Sequence, residues 1–200
     1  MGDFSGKIFI YGNGGGYFIY DKNKDQVISE DPDLTQWSFI EEDNVRYVKD
    51  LNTFKAIDSN SGTLIWEVLF DGGFSMGPTF TQDEILILTR ADSHVSNLYS
   101  LSKKTGEVLW RKSFDLISNI DVKDFKVYAI TSNGNLIVLD QKNGNELLNI
   151  KFSSQPFVLP SSSRADKLIG AYTVSADPKN NVVIISLGDS CELLAMKINQ

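Results

Sequence analysis

The chain has 200 residues and a mass of 22.3 kDa, enough for one large domain with a real core, and 42% of it is hydrophobic against 22% charged. With 19 basic against 26 acidic residues the net charge is −7 and the pI is about 4.7, and the absence of any basic run argues against a nucleic-acid partner. No apolar stretch approaches the roughly 18 residues of a membrane helix, the single Cys191 makes no internal disulfide or cysteine cage, and the single His94 makes no His-rich zinc site.

In chain order, the pattern predicts strands separated by polar turns. The N-terminus shows no basic segment followed by an apolar run, so no secretory signal is expected. The lone cysteine points to a cytoplasmic setting, or an extracytoplasmic one if a leader has been removed. Residues 7–11 alternate in polarity and read as a strand. The run Gly12-Asn13-Gly14-Gly15-Gly16 departs from the phosphate-loop pattern and reads as a hairpin or bulge loop. Residues 17–28 give strand, turn and strand again. Within them the spacing Asp21, Asn23, Asp25 resembles the start of a calcium loop. Gln26 stands where that loop needs glycine and Pro32 where it needs glutamate, so a solvated turn is expected. Trp37 lies in an acidic connection over 30–38. Strands are expected over 44–48, 84–89, 126–131 and 181–186, with a further one near 76–80. His94 falls in a polar loop and has no identifiable triad partners. A long connection covers 153–165, and Cys191 opens the last strand as a small buried residue. No window sustains a helical period, so the fold class is all-β.

Three segments repeat one design. Residues 54–66, 99–110 and 137–148 each run strand, polar turn, glycine, strand, with turns near 58–62, 102–106 and 140–144. The turn glycines are Gly62, Gly106 and Gly144, and four positions beyond each stands a large apolar residue: Trp66, Trp110 and Leu148. A weaker copy has its turn at 21–25, with Asp25 in the glycine's place. The turn positions 25, 62, 106 and 144 are 37, 44 and 38 residues apart. Asp, Asn and Ser in these turns bind local backbone groups, and glycine supplies positive φ. A strand-only period near 40 is that of a propeller blade. Leu193 to Met196 open a fifth copy.

The repeated pattern of small residue, Leu or Ile, Asp, Gly and Trp resembles the PQQ-like (quinoprotein-type) β-propeller repeat. Ala56-Ile57-Asp58 with Gly62 and Trp66 carries it best. Ser100-Leu101 with Gly106 and Trp110 has Ser102 for the Asp, and Val138-Leu139-Asp140 with Gly144 has Leu148 for the Trp. The resemblance implies a single propeller domain over 1–200, of about four to five blades, or part of a larger propeller. It also implies that Trp66, Trp110 and Leu148 dock each blade on the next. Dehydrogenases of this family carry an adjacent-cysteine disulfide, a catalytic Asp and a calcium shell. One cysteine cannot form that disulfide, so no catalytic residue, metal or cofactor is assigned.

The function expected is a non-catalytic binding or scaffold module for a protein or peptide partner, with self-association as a second route to a closed ring. The alternative is a degenerate or partial quinoprotein-type dehydrogenase, or a propeller hydrolase using carboxylates such as Asp166 or Asp177. The connections at 12–16, 30–38 and 153–165 are the candidate contact surface.

Overall fold

The structure, a computed structural model, describes residues 7–11, 17–21, 23–31, 39–92, 94–117, 119–152, 172–187 and 192–198. Among these residues there is no helix, and the strands form five antiparallel sheets. The chain divides into two compact units, Met1–Leu69 and Phe70–Gln200.

The first unit holds two sheets. One has the order β1 (Lys7–Tyr11), β2 (Tyr17–Asp21), β3 (Gln26–Asp31). The other has the order β4 (Phe39–Glu42), β5 (Val45–Asp50), β6 (Thr53–Asp58), β7 (Leu64–Leu69).

The second unit holds three sheets. In the first, β8 (Gly73–Phe74) and β9 (Thr79–Phe80) both pair with β10 (Glu84–Arg90), which continues to β11 (Val95–Ser102) and β12 (Val108–Asp115). The next is β13 (Asp121–Lys123), β14 (Lys126–Ile130), β15 (Asn135–Asp140), β16 (Glu146–Lys151). The last is β17 (Tyr172–Asp177), β18 (Val182–Leu187), β19 (Glu192–Lys197). Four of the sheets are thus meanders of neighbours in sequence, and in the fifth β8 and β9 share one edge of β10.

The four repeat copies are the hairpins β2–β3, β6–β7, β11–β12 and β15–β16. All four share one irregularity. The register shifts at Ile19/Tyr20, Ala56/Ile57, Ser100/Leu101 and Val138/Leu139. Such a bulge inserts one residue into the outer strand and flips the side-chain alternation beyond it. Leu64 and Trp66 are two apart, which would put them on one face of a regular strand. Instead Leu64 is 50% exposed and Trp66 only 8%. The inserted residues Ile65, Leu109 and Leu147 are all exposed, and the residue after each is delivered opposite Ala56, Ser100 or Val138.

The middle sheet of the second unit is buried on both sides. Val127, Ala129, Ile137 and Leu139 pack towards Leu86, Leu88 and Leu98 of the β8–β12 sheet. The alternate residues Tyr128, Ile130, Leu136 and Val138 pack towards Val174, Val183 and Ile185 of the β17–β19 sheet. Period-2 alternation therefore feeds two cores from one sheet, and β14 and β15 read as unbroken apolar runs.

Candidate functional site

Each repeat turn closes one end of its own sheet, and its chemistry is local. Asp58 Oδ1 accepts hydrogen bonds from the backbone of Asn60 (3.0 Å) and Ser61 (2.7 Å) and from the Ser61 hydroxyl (2.8 Å). The Ser61 bonds hold the Asp58 carboxyl below the usual aspartate range. Asp140 repeats the arrangement, accepting from Lys142 N (2.9 Å) and Asn143 N (3.2 Å). In the copy with Ser102, the hydroxyl oxygen accepts from Thr105 N (3.2 Å). Gly62, Gly106 and Gly144 have φ of 70°, 72° and 69°, and Asp25 takes the same left-handed place at 52°. A recurrent backbone bond ties each turn to the hairpin beside it. Ser59 N donates to Asn44 O, Lys103 N to Asp83 O, and Gln141 N to Phe125 O.

Trp110 lies across the junction between the β8–β12 and β13–β16 sheets. Its indole Nε1 donates to the carbonyl of Gln141 at 2.7 Å. Its six-membered ring covers Gly144 so closely that a Cβ there would stand 2.8 Å from Cδ2 and Cε3. The turn glycine thus serves twice, for its positive φ and for the close approach of the ring. Beneath the indole is a buried polar group. The Ser100 hydroxyl donates to Glu84 Oε2 (3.0 Å), and Gln141 Nε2 donates to the same oxygen (3.3 Å) and to Thr81 Oγ1 (3.3 Å). Nothing in the repeat pattern marks Glu84 or Gln141, because the contact joins residues 57 apart.

Trp66 is buried in its own sheet against Tyr47 and Phe54, with ring centroids 5.9 Å away in both cases. Burial, with Glu42 and Asp43 nearby, pushes the Tyr47 phenol up to about 12. Leu148 is half-buried at the edge of the second core, among Tyr128, Val138, Val174 and Val183. Gly62 differs from Gly144 in that a Cβ there would meet nothing within 4 Å.

His94 is exposed, and its backbone N–H donates to Asp92 Oδ1 at 2.6 Å, a turn contact. Asp177 closes the turn between β17 and β18, accepting from the Asn180 side chain at 2.7 Å. Among the described residues no group of three or more His, Cys, Asp or Glu side chains converges to hold a metal ion. The Gly12–Gly16 run, Trp37, the stretch 153–165, Asp166 and Cys191 lie outside the described residues.

The meandering sheets, the bulged repeat hairpins and the Trp-on-glycine junction define a β-propeller of PQQ-like repeats. The model of the family described as outer membrane protein assembly factor BamB matches residues 42–198, and the chain belongs to that family. Among solved structures, the computationally designed Ika4 protein is similar over 80% of this chain and 89% of its own, at 14% identity and a TM-score of 0.57. A KlHsv2 variant with loop 6CD replaced by a Gly-Ser linker matches 96% of this chain and 59% of its own, at 9% identity and a TM-score of 0.61. A europium-containing methanol dehydrogenase matches 98% of this chain and 50% of its own, at 9% identity and a TM-score of 0.57. At these identities the likeness is one of fold. Among curated proteins none is significantly similar in sequence.

Proposed function

We propose that the chain is a non-catalytic propeller scaffold that grips a polypeptide partner with the end of the β13–β16 sheet where its repeat turn lies. The observation that carries this reading is Phe125, which is 82% exposed. With Asp124 it forms the two-residue turn between β13 and β14, at φ of 47° and 59°. Both angles positive makes this a type I′ turn, which favours Asn, Asp and Gly. The matching turn between β4 and β5 conforms, with Asp43 and Asn44 at 52° and 61°. A phenylalanine there bears a left-handed backbone cost of about 1–2 kcal/mol and leaves an aromatic ring in water. Neither helps folding, whereas a partner that covered the ring would recover its burial energy. Exposed aromatics within a charged rim, here Lys123 and Asp124, are the usual anchors of protein interfaces.

Membership of a family described as an assembly factor supports binding over catalysis, and it suggests outer-membrane protein assembly as the process in which the partner is met. The test is capture by the full chain against its Phe125→Ser variant. The wild type should retain a polypeptide that the variant loses, while the variant's urea midpoint stays level or rises. Equal capture by both would remove Phe125 from the interface and this reading with it.

A further inference from the structure

We infer that the outer edge of β7 takes up an extended polypeptide strand in which apolar residues flank a lysine or arginine. Among the described residues β7 pairs with β6 alone, so its far edge is open. Every second residue of such an edge directs its N–H and C=O away from the sheet, a template for a further strand. β12 and β16 are the equivalent last strands of their sheets, and both are guarded. After Trp66, Trp110 and Leu148 respectively, the next three residues are Glu67-Val68-Leu69 in β7, Arg111-Lys112-Ser113 in β12 and Asn149-Ile150-Lys151 in β16. Edge cations deter strand addition. β7 has none. Where its sisters place Ser113 and Lys151 it presents Leu69, which is 71% exposed. Leu64 and Ile65 are exposed at its other end.

The register decides what the added strand must carry. Leu64, Glu67 and Leu69 stand opposite Ile57, Lys55 and Thr53 of β6, alternate residues that share one face. That face of β7 therefore reads apolar, acidic, apolar. Lys55 Nζ meets Glu67 Oε1 at 3.2 Å, and among the described residues Glu67 Oε2 has no partner. A cation opposite Glu67 takes that oxygen, and apolar residues two positions to either side reach the leucines. Main-chain bonds along the edge give the affinity, and these alternate side chains choose the strand. A second copy of this chain fits less well. Pairing antiparallel so that Leu69 meets Ile65 sets Glu67 against Glu67, and like charges directly opposite are destabilising. The inference is separate from the role given to Phe125, since β7 belongs to the first unit and Phe125 to the second.

The test is amide hydrogen exchange in the full chain, read by NMR, with the peptide acetyl-Ser-Val-Thr-Lys-Thr-Val-Ser-amide. Alternate amides of β7 should exchange about tenfold or more slowly at saturation, and those of β12 and β16 at unchanged rates. Glutamate in place of the peptide's lysine, or N-methylation of its alternate residues, should weaken binding about tenfold or more. Leu69→Lys puts a guard at an exposed position where the fold tolerates it, and should do the same. Unaltered exchange in β7, equal binding of the lysine and glutamate peptides, full binding of the N-methylated peptide or unchanged affinity in Leu69→Lys would overturn the inference. So would concentration-dependent protection of β7 without peptide, which would assign the edge to a second copy. Phe125→Ser should bind the peptide as the wild type does, so this test and the capture test fail independently.

Discussion

Two junctions in the second unit are made from the same repeat and end differently. Between the β8–β12 and β13–β16 sheets, Trp110 hydrogen-bonds to Gln141 and lies flat on Gly144. Between the β13–β16 and β17–β19 sheets, Leu148 holds the same station and a cleft of about 410 Å³ remains. The strand pairings, the bulge and the recurrent backbone bond match at both. Trp110 and Leu148 hold equivalent strand positions, while the sealed junction also uses the turn from Gln141 to Gly144, whose counterpart runs past Ile198 and outside the described residues.

The largest effect should come from breaking the sealed junction. Trp110→Ala is expected to lose about 3–5 kcal/mol, as a large core truncation does, and Trp66→Ala a similar amount through its Tyr47 and Phe54 contacts. Urea midpoints read both, and little change in either would detach that tryptophan from the stability of its sheets.

The turn glycines sharpen the comparison at intermediate size. Gly62→Ala meets only its left-handed backbone, since a Cβ there has open space, and should cost about 1–2 kcal/mol. Gly144→Ala bears that cost and also drives a Cβ into the Trp110 ring, which should add about 1–3 kcal/mol of overpacking. Removing the ring first, as in the Trp110→Ala, Gly144→Ala pair, should cancel the added part in a double-mutant cycle. Additive losses would show that the ring and the turn do not press on each other.

Smaller effects follow pH. The Tyr47 phenol, raised to about 12 in the fold, favours the folded state fully below the ordinary tyrosine range near pH 10. That contribution should fade between about pH 10 and 12 as the unfolded chain ionises first, and a Tyr47→Phe variant should lack this part of the alkaline decline. Asp58 has the opposite sign. Its carboxyl is held low by Ser61, so its contribution is present above about pH 4 and lost as the pH falls below that. Asp58→Asn should flatten this part of the acid limb in urea titrations.

Much of this architecture was legible in the sequence because its signals are local. Gly in the turn with a large apolar residue four positions on locates three hairpins, since each part acts within a few residues of itself, and the first hairpin, with Asp25 for Gly and Ser29 four positions on, is found by its strand-turn-strand pattern and spacing. The bulges left no separate mark, although they are what makes that spacing work, turning Trp66 inward beside an exposed Leu64. The first strands of three sheets, β4, β13 and β17, were not anticipated. β13 is only Asp121-Val122-Lys123, and β4 ends in two glutamates, so neither offers an apolar run to read. The candidate site was less legible. Phe125 carries no glycine or asparagine to announce its left-handed turn, and the Glu84, Ser100 and Gln141 contact depends on sheets brought together by folding.

The urea midpoint of Leu148→Trp against wild type is the most direct test of the difference between the two junctions. A tryptophan there should enter the space its counterpart Trp110 occupies one repeat earlier, and the midpoint should rise. A fall would mean that Leu148 does not stand at an equivalent of the Trp110 seat.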